Sequence, residues 1–483
     1  MFRPIESAGR RAGLALALAA VLAGCAQAPV APPPTLDIPS AYAEADGRWS
    51  QAAPRDDADR GPWWRQFGDP ELDDLEAHVD VSSPTLQKSL ADLASARAVL
   101  GAARAGWWPS LDAEAGLSRD RVSRNVVGRS LAGKTTNDES LGLGASWEPD
   151  LFGRIGAQVD VARASAQASA ADVEAVRLAL DSELASDYFA LRENEATKRL
   201  LERTVVDDTR VTAIADNQVR AGYASPSDAA VAQGELERVR AQALDLDAEH
   251  ARLAHAIATL IGVPASRLAI PEPTTQAIVP EIPAGLPSQL LERRPDIAAA
   301  ERRVAAANAQ VGVARTAYFP NLVLSLFGGV ESTPVNRLLS LPSGVWSLGP
   351  SLAAPLFDGG RRAADLKGAQ AQRDASVAVY RQTVIGAINE VEDHLAALRT
   401  WGDEDAGRER AAAASTLVVR QMQSRFEAGA IDYLAVSVAD NQALADQRAL
   451  IALRGRRLQA SVALLKALGG GWSASLDSVA GPA

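Results

Sequence analysis

The sequence predicts a mainly α-helical protein with a membrane β-barrel part, built from two tandem repeats. Three observations predict this fold class. The two halves resemble each other, apolar stripes recur at helical spacing, and short runs alternate between apolar and small or polar residues. Hydrophobic residues make up 47% of the 483 positions, but aromatic residues only 5%. Alanine and leucine interspersed with glutamate, glutamine and arginine are typical of long helices rather than of large globular cores.

The internal repeat is the most informative feature of the chain. A helical pattern that begins at Pro84 aligns without a gap with one that begins at Pro295. Further along, the Leu-Phe-Gly-Arg sequence at 151–154 matches a similar sequence at 356–361, at a changed spacing. Each copy is therefore expected to contain a helix, two strands and two long helices. The region between the matched points tolerates length changes and should contain loops.

The long helices are predicted by apolar residues that step by three and four positions, on one helical face. No proline interrupts residues 154–219, so the first long helix is expected to reach ~100 Å at ~1.5 Å per residue. Such a helix needs neighbours along most of its length to bury its stripe. The stripe positions are Val173, Val176, Leu180, Leu184, Tyr188 and Leu191 in the first copy, and Val377, Val384, Ile388, Val391, Leu395 and Leu398 in the second.

The strand segments alternate apolar residues with small or polar ones, which puts the two kinds on opposite faces. Such runs suit membrane-spanning strands, and a sheet packed on a soluble core is the alternative. Four strands cannot close a barrel and an open edge is unfavourable in lipid, so three chains would supply twelve strands and an open lumen. The apolar positions are Leu111, Ala113, Ala115, Leu117, Leu141, Leu143, Ala145, Trp147, Leu322, Leu324, Leu326, Trp346 and Leu348.

The N-terminal residues have the pattern of an export signal. Three arginines, the first of them Arg3, precede an apolar stretch at 13–23 that is too short to span a bilayer. The stretch ends in Leu22, Ala23, Gly24 and Cys25, and Cys25 is the only cysteine in the chain. This sequence resembles a bacterial lipobox, which predicts that Cys25 becomes the acylated N-terminus. An incidental thiol is the alternative interpretation.

These observations predict the following division of the chain. Residues 1–24 are a lipoprotein signal peptide, 25–83 an acylated tether and periplasmic start, 84–264 the first repeat with a β-hairpin at about 110–149, 265–294 a connection, 295–470 the second repeat with a β-hairpin at about 321–354, and 471–483 a C-terminal tail. The tether is rich in proline at 28–39 and should be extended.

Enzyme chemistry finds little support in the sequence. The four histidines lie at 78, 250, 255 and 394, and none has a metal-ligand spacing to another histidine or to the cysteine. No nucleophile-elbow, P-loop or dinucleotide-binding motif is present in a strand-turn-helix context. The net charge of −11 and the lack of a basic stripe argue against nucleic-acid binding. The sequence therefore predicts a non-enzyme without cofactor, apart from the covalent lipid on Cys25.

The turns between the long helices are predicted at Gly222 and Gly429, because glycine suits the left-handed cap that ends a helix. After the first turn, Ser225 and Asp228 fit a capping box with a proline at the first helical position. After the second turn, Asp432 fits an N-cap. Asp228 and Asp432 are candidates for a gate at these turns, and helix capping is the competing interpretation.

Two longer motifs carry a family resemblance. The sequence at 285–297, GLPSQLLERRPDI, and the ending at 464–472, LLKALGGGW, resemble outer-membrane efflux proteins of the TolC and OprM type, in the NodT-like lipoprotein subgroup. The resemblance covers nearly the whole chain. It implies a homotrimer with a twelve-stranded barrel in the outer membrane and a coiled-coil helical tunnel in the periplasm. Its partners would be a periplasmic adaptor and an inner-membrane resistance-nodulation-division pump.

The resemblance also implies a periplasmic gate, from which this sequence departs. In the family, the second turn is often followed by an aspartate and an arginine that hold the tunnel shut, and these positions here are Val438 and Asn441. Closure is therefore expected to rest on helix packing near Gly429 and on apolar Val438. Asp440 is a further gate candidate, either as part of an acidic ring in the lumen or as a solvated side chain.

The leading functional hypothesis is the outer-membrane channel of a tripartite efflux system that exports drugs, toxic compounds or metals. One alternative is the outer duct of a type I protein-secretion system, which has the same architecture. The other is a structural periplasmic lipoprotein that conducts nothing. The strand segments favour either duct, because a bridge between membranes needs no barrel. The sequence identifies no substrate.

Overall fold

The computed structural model describes residues 62–125, 128, 130–273, 277–280, 282 and 293–470. The predicted lipobox, most of the motif at 285–297 and the end of the motif at 464–472 lie outside the described residues. The described elements are α1 (Pro70–Ser82), α2 (Pro84–Ala105), β1 (Ser110–Arg121), β2 (Thr135–Trp147), α3 (Arg154–Arg220), α4 (Pro226–Leu260), α5 (Pro295–Thr316), β3 (Asn321–Ser332), β4 (Gly344–Ala353), α6 (Arg361–Glu427) and α7 (Tyr433–Ala467).

The two predicted repeats are present in the order of these elements. In each copy a helix of 22 residues leads into two strands, then a helix of 67 residues and a helix of 35 residues. The 67-residue helices α3 and α6 each extend to ~100 Å at ~1.5 Å per residue. Within the described ranges, no helix combines the length and the apolar character needed to cross a membrane.

Contacts divide the described residues into two compact units. One contains Ala94–Ala168 and Glu301–Val379, and therefore all four described strands. The other contains the described parts of Leu36–Leu93, Ser169–Ala300 and Tyr380–Ala483. The second unit holds most of the length of the four long helices and both of the turns that join them.

The four described strands form one antiparallel sheet in the order β1-β2-β3-β4, so β1 and β4 are its edges. Paired residues in antiparallel strands share a face. The pairs Leu111–Ala145, Ala113–Leu143 and Ala115–Leu141 continue through Leu143–Gly328 and Ala145–Leu326 to Leu326–Leu348 and Gly328–Trp346. The predicted alternating positions therefore form one apolar face across the whole sheet.

This apolar face is open to its surroundings in the single chain. Leu111, Leu141, Trp346 and Leu348 are all exposed, and Trp346 is 79% exposed. The opposite face carries many small and polar residues. On this face Gly144 pairs with Phe327, and Ser146 pairs with Ser325. A large exposed apolar surface requires an apolar partner or lipid. The soluble-core alternative does not fit the described residues, none of which covers the face.

The stripes predicted for the long helices bury most of their residues. Leu184, Tyr188 and Leu191 on α3 are fully buried, as are Val391 and Leu395 on α6. Val176, Val377 and Ile388 from the predicted stripes are only half-buried. Each helix therefore covers its stripe with neighbouring helices, as coiled-coil packing requires.

A buried arginine joins three helices in the second unit. Arg294 directly precedes α5, and its guanidinium donates two hydrogen bonds to the Asp296 carboxylate, at 3.0 and 2.7 Å. It also donates to the Glu390 carboxylate of α6 at 2.6 Å and to the Ala467 carbonyl at the end of α7 at 3.2 Å. The planar guanidinium suits this task, because its donors point in fixed directions.

Candidate functional site

The turns between the long helices have the same geometry in both repeats. Gly222 and Gly429 have φ angles of 80° and 71°, in the left-handed region that other residues rarely adopt. The backbone N–H of Tyr223 donates to the Gln218 carbonyl at 2.8 Å, and that of Ala430 donates to the Arg425 carbonyl at 2.9 Å. These bonds satisfy the last carbonyls of α3 and α6, so both helices end in a Schellman-type cap.

The helices that follow the turns begin with the predicted caps. The Ser225 side chain accepts a hydrogen bond from the backbone N–H of Ser227 at 3.2 Å, and the Asp228 carboxylate accepts one from the backbone N–H of Ser225 at 3.2 Å. Asp432 accepts a hydrogen bond from the backbone N–H of Ala435 at 3.2 Å. The capping predictions are confirmed. A gating role for Asp228 and Asp432 stays a prediction.

Two apolar clusters pack α3, α4 and α7 together near the turns. The cluster nearer the turns also includes α6 and consists of Val211, Ala215, Ala232, Phe426, Tyr433 and Val436. The cluster farther from the turns consists of Leu200, Leu201, Val239 and Leu444. Between the two clusters, α3, α4 and α7 each contribute polar residues. We call the group formed by Asp208, Glu235, Arg238, Ser437, Asp440 and Asn441 the polar layer.

Glu235 is the centre of hydrogen bonding in the polar layer. Its carboxylate accepts hydrogen bonds from Asn441 at 2.7 Å and from the Ser437 hydroxyl at 3.2 Å. The Arg238 guanidinium pairs with the same carboxylate and also donates to the Asn441 side-chain oxygen. Burial opposes ionisation of Glu235, but the bonds from Asn441 and Arg238 prevail and lower its pKa. This network joins α4 to α7.

Asp208 and Asp440 form the other half of the polar layer and join α3 to α7. Asp208 is only 5% exposed, and Asp208 and Asp440 line the same small cavity. Burial, with the nearby Asp440 carboxyl as the second cause, raises the pKa of Asp208 from its ordinary 3.8 to about 7. Burial likewise raises the pKa of Asp440. The pair therefore retains a proton at pH values at which ordinary aspartates have lost theirs.

The structure separates the predicted gate residues. Val438 is 64% exposed on α7 and lies outside the polar layer. Asn441 lies within the layer and contacts Glu235 and Arg238. Asp440 is not the solvated side chain that one sequence interpretation describes, because its half-buried carboxyl lies against Asp208.

Sequence reasoning missed Asp208, Glu235 and Arg238, although a signal was present. Asp208 lies on the stripe of α3 between Leu201 and Val211, and Glu235 lies three residues after Ala232 on α4. Both interrupt an apolar stripe at a position where packing demands an apolar residue. Asp440 does the same on α7. Charged residues at stripe positions on three helices are the pattern that would have indicated a buried polar layer.

The described part of the chain offers no alternative chemistry at this site. Among the described residues, no group of three or more histidine, cysteine, aspartate or glutamate side chains is arranged to hold a metal ion. A two-faced sheet with open edges, joined to long paired helices that end in capped turns, defines a class of channel-forming outer-membrane proteins. The polar layer lies where such helices meet their turns.

Comparison with known proteins identifies the family within this class. The sequence profile of the outer membrane efflux protein family matches residues 79–263 and 286–470, and the chain belongs to this family. Outer membrane protein OprJ of Pseudomonas aeruginosa is 32% identical over 462 residues, covering 95% of both chains. Cation efflux system protein CusC of Escherichia coli is 30% identical over 465 residues, covering 95% of this chain and 98% of CusC.

Solved structures agree with this assignment. The outer-membrane channel OprN matches with a TM-score of 0.82 at 29% sequence identity, over 92% of this chain and 99% of OprN. The predicted family and the predicted fold class are confirmed. The protein is an efflux channel of the outer membrane.

Proposed function

We propose that the chain is the channel subunit of a tripartite efflux system and that three copies close one twelve-stranded barrel. The two-faced sheet with two unpaired edge strands is the observation that supports this proposal. Its apolar face suits lipid and its small, polar face suits an aqueous lumen. An unpaired sheet edge is unfavourable in lipid, so β1 of one copy must pair with β4 of another. An eight-stranded barrel would be filled by its own side chains.

The trimer is tested by mass and conductance. We expect the purified protein in detergent to have a native mass of three chains plus bound lipid. The same sample should conduct ions in planar bilayers, because three sheets that close one barrel enclose a lumen. A single-chain mass with full β-strand content would contradict the proposal.

Efflux and secretion use the same architecture, and family membership favours efflux. Deleting the gene should raise the sensitivity of the cells to small toxic compounds or metal cations and leave their secreted proteins unchanged. A loss of one secreted protein with unchanged sensitivity would instead support a secretion duct. The relatives include the cation efflux protein CusC and the solvent efflux protein SrpC of Pseudomonas putida, so the substrate class of this chain is tested with a panel of both kinds of compound.

We further propose that Cys25 anchors the protein to the outer membrane by a covalent lipid. The lipobox at 22–25 supports this, because cleavage before the cysteine would remove residues 1–24 and expose a new N-terminus for acylation. An acylated N-terminus adds membrane affinity to that of the barrel.

Replacement of Cys25 with serine tests the anchor. We expect intact-mass spectrometry to find acyl groups on the wild-type protein and none on Cys25→Ser, because the hydroxyl cannot form the thioether. Barrel insertion should persist in the variant. Wild-type protein that retains residues 1–24 without acyl groups would contradict the assignment.

The partners proposed from the resemblance are a periplasmic adaptor and an inner-membrane resistance-nodulation-division pump. The turns at Gly222 and Gly429 are the proposed contact with the adaptor. Tyr223, in the first turn, is 87% exposed and offers an apolar ring without a partner in its own chain among the described residues. Aromatic residues of this kind are common in the centres of protein interfaces.

A further inference from the structure

The polar layer contains more carboxyl groups than nearby cations can balance. Asp208, Glu235 and Asp440 lie within it, and Asp207 lies beside it on α3. In the described part of the chain, the cation that faces these groups is Arg238. Its guanidinium already binds Glu235 and Asn441. The Asp208–Asp440 pair therefore has no cation of its own.

Tyr433 bounds the layer on the side of the turn and adds no compensating charge. Its side chain is 3% exposed, and burial together with the carboxyl groups of Asp208 and Asp440 raises its pKa. The phenol is therefore neutral. On the other side, Leu444 and the rest of the second apolar cluster keep the layer away from water. The cavity within the layer measures about 10 Å³, which is at the lower limit for a single water molecule.

Two carboxyl groups that line one small cavity, one of them buried and the other half-buried, repel each other strongly when both are ionised. When one of them keeps its proton, its O–H donates a charge-assisted hydrogen bond to the other, and this bond is short and strong. The resulting proton belongs to the pair rather than to either residue. The bond joins Asp208, about three helical turns before the end of α3, to Asp440, about two helical turns after the start of α7.

We propose that Asp208 and Asp440 share one proton that holds α3 against α7, and that release of this proton loosens the turn end of the helices and favours an open channel. The effect on conductance rests on the proposed channel function, whereas the shared proton is a property of each single chain. We call this shared proton between Asp208 and Asp440 the latch.

The direction of the pH effect follows from the raised pKa of Asp208. In the folded chain this pKa is about 7, and in an unfolded chain it returns to its ordinary 3.8. The stabilising contribution of the shared proton is therefore fully present below pH 3.8 and is lost as the pH rises through about 7. In each chain, opening that releases the proton is expected to become about tenfold more favourable per pH unit as the pH rises towards the closed-state pKa of about 7, and to level off above it.

The test uses full-length protein and three single variants. Asp208→Asn and Asp440→Asn each keep the size of the side chain and its hydrogen bonding but remove a titrating group from the pair. Asp207→Asn is the matched control, because it removes the same charge from the neighbouring, exposed position on α3. Infrared difference spectra report the C=O stretch of a protonated carboxyl group. Bilayer recordings between about pH 5.5 and 8.5 report the open probability.

We expect the wild-type protein and Asp207→Asn to show the carboxylic C=O band at pH 6, to lose it near pH 8 and to open more often over the same range. Asp208→Asn and Asp440→Asn should each lose this band at a lower pH than the wild type, because the remaining carboxyl no longer has the other beside it, and their open probability should change less with pH. Amide hydrogen exchange of the segment 204–212, corrected for the intrinsic pH dependence of exchange, should increase with pH in the wild type and in Asp207→Asn more than in Asp208→Asn and Asp440→Asn.

Two results would overturn the latch: a band that is unchanged in Asp208→Asn, or a pH-dependent open probability that both asparagine variants retain in full. Failure of the proposed channel function would look different. In that case no protein conducts at any pH, while the band and the pH-dependent hydrogen exchange of the wild type remain and support the shared proton.

Discussion

Replacing Arg294 with alanine is expected to lower the thermal unfolding midpoint of the helical region by several degrees. The Arg294 side chain is 11% exposed and joins Asp296, Glu390 and the Ala467 carbonyl. The partner carboxylates of Asp296 and Glu390 are 39% and 54% exposed and remain partly solvated, so the main cost is the lost hydrogen bonds, typically about 1–3 kcal/mol for an acceptor left buried. Here the Ala467 carbonyl loses its donor, and the end of α7 loses its connection to α5 and α6.

Circular dichroism of the helical signal in detergent measures this change, and two variants calibrate it. Arg252→Ala removes an arginine whose side chain is 64% exposed and pairs with Glu249, so it should shift the midpoint little. Arg294→Lys keeps the positive charge but loses the fixed geometry of the guanidinium. Its unfolding midpoint should therefore lie between those of the wild type and Arg294→Ala. Equal midpoints for Arg294→Ala and Arg252→Ala would show that the three-helix connection contributes nothing to stability.

Replacing Val438 with aspartate is expected to raise the open probability of the channel about tenfold or more, which corresponds to ~1.4 kcal/mol in favour of the open state. Val438 and Leu434 are exposed one turn apart on α7, at 64% and 60%, and form an apolar strip that its own chain does not cover. In the proposed trimer, three such strips meet around one axis. A constriction lined by apolar side chains closes by excluding water, and three carboxylates would admit water and repel one another.

Single-channel recording in planar bilayers measures the open probability, with Val438→Thr as the matched control. Threonine has the same shape as valine and carries no charge, so its open probability should stay within a few-fold of the wild type. If Val438→Asp conducts like the wild type, the gate lies elsewhere on the turn helices. Asp440→Asn tests Asp440 as the gate residue independently of Val438. Because Asp440 shares a proton with Asp208 in our proposal, this variant should alter cation selectivity only above neutral pH.

Features that depend on a few consecutive residues were determined by the sequence alone. The N-caps at Ser225 and Asp432 and the left-handed turns at Gly222 and Gly429 form within one helical turn, and the structure has them as predicted. The order of helices and strands in both repeats was equally accessible, because the periods of 3.6 and 2 are written directly into the chain. Alternation alone also placed the apolar residues of the four strands on one face.

Only the tertiary structure decided which charged residues meet. Arg294 contacts Glu390 and Ala467 across separations of 96 and 173 residues, and no local pattern pairs them. Asp207 and Asp208 are adjacent and chemically identical, yet one is exposed and the other is 5% exposed beside Asp440. The physical reason is that a hydrogen bond within one turn is set by local backbone geometry. Burial and the resulting pKa depend instead on which helices pack together, and in what register.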